Sequence, residues 1–81
     1  MKIKIKAFAT VREACGFDDK ELIVSEGISV KKILQELEKC HPELKDFDGT
    51  LLFAINEAYC SRDSILSDED TLAIFPPVSG G

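Results

Sequence analysis

Residues 29–40 constrain the fold more than any other stretch. Val30, Ile33, Leu34 and Leu37 recur at i, i+3, i+4 and i+7, which sets them on one stripe of a helix. Lys31, Lys32, Gln35, Glu36 and Glu38 take the outward face. Ser29 is suited to the N-cap, because its hydroxyl can accept from a first-turn amide that has no intrahelical partner. Pro42 disfavours helical geometry at His41, so the helix ends near Cys40. A single amphipathic stripe covers one face of one sheet, and a two-layer α+β domain follows if the rest of the chain is strands.

The flanking sequence reads that way. Lys2, Lys4 and Lys6 alternate with Ile3, Ile5 and Ala7, the period-two signature of a half-buried strand. Phe8 falls on the lysine face if the strand runs that far. The alternative is that the strand ends at Ala7 and Phe8 turns inward. Residues 10–15 read as a short helical turn, capped by Thr10 and ended by Gly16. Residues 20–25 form a second strand, joined to the first as a hairpin with a long linker. Residues 42–50 read as a polar loop, and residues 51–55 as a buried or near-buried strand. Asn56-Glu57 supplies turn chemistry, since Asn tolerates positive φ. Residues 58–60 return as a short strand. Residues 61–64 and 67–70 are polar loops, and residues 71–75 form the last strand. Within that strand Leu72 and Ile74 share one face, and Ala73 and Phe75 the other. Strand, strand, helix, strand, short strand, strand is the order of the β-grasp, or ubiquitin-like, fold, a mixed sheet with one main helix on one face. The expected organisation is a β-grasp domain over residues 1–75 and a flexible C-terminal tail over residues 76–81.

Pro76-Pro77 stops the last strand, because neither residue has an N–H for the ladder. Val78-Ser79-Gly80-Gly81 follows. Residues 76–81 span ~20 Å when extended, and glycines can thread a channel too narrow for a side chain. A terminal carboxylate on Gly81 is ionised at neutral pH and is a poor electrophile. Adenylation would turn its oxygen into a leaving group, and the chain would then carry an acyl group to a thiol, persulfide or amine.

No other stretch offers catalytic chemistry. The chain has one histidine, His41 beside Pro42, which reads as a helix-end residue. Cys15, Cys40 and Cys60 are three in number and widely spaced without a C-x-x-C, a pattern that points away from disulfides and zinc and toward packing residues. No metal site and no bound cofactor are expected. Residues 1–40 carry a net charge of +1 and residues 41–81 one of −6. That balance opposes nucleic-acid binding and suits a basic partner. No apolar run approaches a membrane span, and no signal-peptide pattern opens the chain, so the expected compartment is the cytoplasm.

Asp68-Glu69-Asp70-Thr71-Leu72-Ala73-Ile74-Phe75-Pro76-Pro77-Val78-Ser79-Gly80-Gly81 closely resembles the ending found in the MoaD branch of the MoaD/ThiS family of ubiquitin-like sulfur carriers. The resemblance extends to Phe8-Ala9-Thr10-Val11-Arg12-Glu13, to Ile55-Asn56-Glu57 and to Ser61-Arg62-Asp63. It implies that an E1-like adenylating enzyme activates the Gly81 carboxylate with ATP and Mg²⁺, and that a sulfur donor converts the adenylate to a thiocarboxylate. The tail, Pro76, Pro77, Val78, Ser79, Gly80 and Gly81, would enter the molybdopterin synthase large subunit, in a heterotetramer, and donate sulfur to cyclic pyranopterin monophosphate. Docking would use Phe75, Phe8 and Tyr59 on the open face of the sheet. The alternatives are a carrier for thiamine or tRNA thiolation, a ubiquitin-like modifier of lysines, and a binding module with an inert terminus.

Overall fold

The computed structural model describes residues 1–47 and 49–77. Five strands, β1 (Lys2–Ala7), β2 (Asp19–Ile23), β3 (Leu52–Ile55), β4 (Ala58–Cys60) and β5 (Thr71–Phe75), form one sheet in the order β2-β1-β5-β3-β4. The first and last strands lie parallel at its centre, with Ile5 beside Leu72 and Ala7 beside Ile74. All other neighbours are antiparallel. This is the β-grasp arrangement.

Two helices, α1 (Ala9–Cys15) and α2 (Val30–Cys40), accompany the sheet. The stripe of α2 is buried throughout and meets Ile3, Ile5, Leu72, Ile74 and Phe53 from the sheet. All four amides that open α2 are satisfied. Val30 N–H donates to Ser64 O and Lys31 N–H to Arg62 O, both at 2.9 Å. Lys32 N–H donates to Ser29 Oγ at 3.1 Å, and Ile33 N–H to Ser29 O at 3.1 Å. The loop at residues 61–64 is therefore part of the helix cap. His41 closes the other end, its N–H donating to Leu37 O at 2.8 Å, and its ring meets Phe17 edge-on.

Several expectations need correction. Thr10 does not cap α1. Phe8 occupies the N-cap with no side-chain hydrogen bond, and Thr10 lies inside the first turn. Gly16, at φ 77°, does end that helix. Residues 42–50 are not simply a polar loop: Pro42–Phe47 is a 3₁₀ turn that buries Leu44 against α1 and α2. Leu66, between two polar turns, is also in the core. Leu52 opens a strand read as buried, yet it is exposed. The cysteines are free and differ from one another: Cys15 is buried, Cys60 half-buried and Cys40 exposed, so Cys40 is no packing residue.

Candidate functional site

Side-chain parity divides the sheet into two unlike faces. β1 reads exposed–buried in strict alternation, with the isoleucines under α2 and Lys2, Lys4 and Lys6 on the open side. Ala73 pairs with Lys6 and Thr71 with Lys4, so β5 sends Thr71, Ala73 and Phe75 to the open face. Phe75 pairs with Leu52, Ala73 with Ala54, and Ala54 with Tyr59, which places Leu52 and Tyr59 there as well.

Phe8 resolves both readings in part. β1 does stop at Ala7, but the ring stays on the open side and stacks on Phe75, with centroids 4.7 Å apart and planes 10° from parallel. Phe8 N–H donates to Ile74 O at 3.3 Å, tying the residue to the strand beneath it. Ala9, next in the chain, has φ 51°, a left-handed conformation that a residue with a Cβ adopts at a cost. Tyr59 lies 6.3 Å from the Phe75 ring, tilted by 49°. It is 78% exposed, and Phe8 is 40% exposed. Phe8, Phe75, Tyr59, Ala54, Ala73 and Lys6 line a shallow depression of about 550 Å³ on this face. Aromatic rings with one wet side and one packed side are the usual anchors of a protein interface.

The far end of the depression is held by a polar network. Asn56 and Glu57 turn between β3 and β4 with φ 50° and 71°. Asn56 Nδ2 donates to Asp70 Oδ1 at 2.8 Å, and Asn56 Oδ1 accepts from Thr71 N–H at 2.9 Å. Asp70 Oδ2 accepts from Ser67 N–H at 2.8 Å. The acidic stretch before β5 is thus a set of turn fasteners that registers β5 on β3.

Phe75 is the last residue of β5. Pro76 is half-buried and Pro77 exposed; Val78, Ser79, Gly80 and Gly81 lie outside the described residues. Leu52 lies on the same face as the depression, opposite Phe75, and is not legible in sequence, because a continuous apolar run hides its own parity. Pairing Leu52 with Phe75 across the antiparallel ladder is the signal that finds it. Among the described residues no cluster of His, Cys, Asp or Glu could hold a metal ion, and no helix is long and apolar enough to cross a membrane. Burial pushes the Cys15 thiol up, with Lys20 opposing the shift.

Comparison with known proteins agrees with this architecture. The chain is 37% identical to the molybdopterin synthase sulfur carrier subunit of Arabidopsis thaliana over 81 residues, covering all of this chain and 84% of that protein. A putative molybdopterin converting factor subunit 1 from Pyrococcus furiosus superposes with a TM-score of 0.83 at 35% identity, covering 96% of this chain and 99% of that one. Small archaeal modifier protein 1 from Methanosarcina acetivorans gives 0.81 at 30% identity, covering 99% and 96%. The ThiS family profile matches residues 5–81, and the chain belongs to the ThiS family.

Proposed function

We propose that this chain is the sulfur-carrier small subunit of a molybdopterin synthase, with the Gly81 carboxylate as its reactive group. The observation that carries the reading is the chain-long similarity to proteins named molybdopterin synthase sulfur carrier subunit. An E1-like enzyme, using ATP and Mg²⁺, joins the carboxylate oxygen to the α-phosphate and releases pyrophosphate. Hydrosulfide attacks the acyl carbon and displaces AMP to leave a thiocarboxylate; a persulfide donor would instead form an acyl disulfide, whose S–S bond a second thiol cleaves, releasing the thiocarboxylate and a donor disulfide. The large subunit supplies the acid–base groups and directs that sulfur to cyclic pyranopterin monophosphate. Phe8, Phe75 and Tyr59 dock these partners, and residues 76–81 reach from the docked patch into their active sites.

Co-expression with the activating enzyme and a sulfur source, followed by intact-mass measurement, tests this. A mass gain equal to one oxygen replaced by sulfur, localised to Gly81, is the expected result. An unchanged mass, together with full molybdoenzyme activity after deletion of Gly81, would overturn it. A second reading, a protein modifier, is favoured by the similarity to small archaeal modifier protein 1. It predicts isopeptide adducts on lysines, which depend on Gly81 and persist after thiol reduction.

A further inference from the structure

The sheet has a second exposed feature, on the side away from the aromatic patch. β2 is an edge strand whose only neighbour among the described residues is β1. Met1 and Val24 exchange both hydrogen bonds across that pair at 2.8 Å. In an antiparallel ladder bonded pairs alternate with unbonded ones, so Leu22 and Lys20 also face β1. The N–H and C=O groups of Asp19, Glu21 and Ile23 therefore point outward, away from the sheet. Beside this edge runs a groove of about 400 Å³ between β2 and α2, lined by Leu22, Val24, Ile28 and Leu37 and also by Lys20, Lys32, Glu36 and His41. Ile23 stands 80% exposed at its rim.

We propose that the outer edge of β2 and this groove dock an extended segment of a partner protein, added to the sheet as a sixth strand. The residues of that segment alternate between basic and apolar. The alternation follows from register. A segment paired to β2 sets every second side chain on the open face, beside Asp19 and Glu21, and the intervening ones over the groove, beside Leu22. The inner edge of β2 already shows what these faces accept: Lys6 pairs with Asp19, Lys4 with Glu21, and Ile3 with Leu22. Lys2 lies 3.5 Å from Glu21 in the same arrangement. A second copy of β2 paired antiparallel about Glu21 would set Glu21 against Glu21, and like charges directly opposite destabilise a ladder; other registers of a second copy are an outcome of the test below. β1 separates this edge from Phe75, so both surfaces can be occupied together.

The test uses an acetylated, amidated peptide, Ala-Val-Val-Lys-Val-Lys-Ala, and a control with both lysines replaced by glutamate. Amide exchange is followed by NMR. With the lysine peptide at saturation, exchange at Asp19, Glu21 and Ile23 slows by about tenfold or more, while Lys20 and Leu22, already bonded to β1, change little. Ile23→Pro removes an outward N–H without touching the β1 ladder, and it abolishes that protection. Asp19→Asn combined with Glu21→Gln weakens the lysine peptide about threefold or more and removes most of its advantage over the glutamate one; neither change sets like charges opposite Lys4 or Lys6. The proposal is overturned by equal binding of the two peptides, by shifts at Tyr59 and Phe75 instead, or by no protection at millimolar peptide. A dimer of the free protein that Ile23→Pro dissolves would also overturn it, by giving the edge to a second copy.

Discussion

The two faces of the sheet are written in the same strands, one residue apart. On the helix side Ile3, Ile5, Leu72 and Ile74 are almost wholly removed from water, and each deleted methylene there costs both transfer energy and a cavity. On the open side Phe8 stacks on Phe75, Tyr59 lies beside the same ring, and Leu52 pairs with Phe75 across the ladder, with solvent above. The first face makes the fold stable. The second keeps apolar surface in reserve, which a folded monomer gives up only if something else uses it. Exposure is what separates Leu72 from Phe75, three residues later on the other face.

The sharpest way to break this comparison is Leu72→Ala against Phe75→Ala in urea denaturation. Leu72→Ala should cost about 3 kcal/mol, a large share of the stability of a domain this small. Phe75→Ala should cost about 1 kcal/mol, chiefly the stack with Phe8. Equal losses would mean that the open face is structural. In a binding assay with a molybdopterin synthase large subunit, the partner proposed above, the order reverses among folded variants: Phe75→Ala and Tyr59→Ala should each weaken binding about tenfold or more. Ser29→Ala tests the capped end of α2, beneath the buried face, and should cost about 1 kcal/mol with no effect on partner binding. Ala9→Gly tests the turn that holds Phe8 over Phe75. Relief of the left-handed φ should raise stability by about 0.5 kcal/mol, and binding should stay the same if the ring remains stacked.

Cys15 adds a pH test of the buried side. Its thiol is pushed above the ordinary value of 9.0, mainly by burial. The folded chain therefore holds this proton more tightly than the unfolded one. The associated stability is fully present below about pH 9 and is lost as pH rises through the folded value. Denaturation midpoints should fall above pH 9 and fall less in Cys15→Ala. Cys40, exposed, should react with a thiol reagent in the folded protein while Cys15 stays protected.

The strands and the main helix were legible because each carries its period in the sequence. The alternation of Lys2 to Ala7 and the stripe of α2 both state which side chains are inward. Asn56-Glu57 was legible because its left-handed turn depends on local chemistry. Leu44 and Leu66 were not, since a lone leucine among polar residues has no period to reveal its burial. The Thr10 cap failed because Phe8 is drawn into the N-cap by its stack on Phe75, a residue 67 positions later in the chain. Tertiary contact outweighed a local hydrogen bond there. The loop at residues 61–64 looked like a spacer because its carbonyls meet the amides of Val30 and Lys31 only once the chain has folded back.

Sequence alone determined the element order, the inward and outward sides of β1 and β5, and the Pro-Pro stop after β5. Each of these is a property of consecutive residues, set by backbone geometry and by side-chain spacing. Only the tertiary structure decided that Phe8, Leu52, Tyr59 and Phe75 share one face, and that the outer backbone groups of β2 face solvent beside the groove under α2. Those facts depend on which strands become neighbours and in what register, and strand pairing is chosen by the whole core at once.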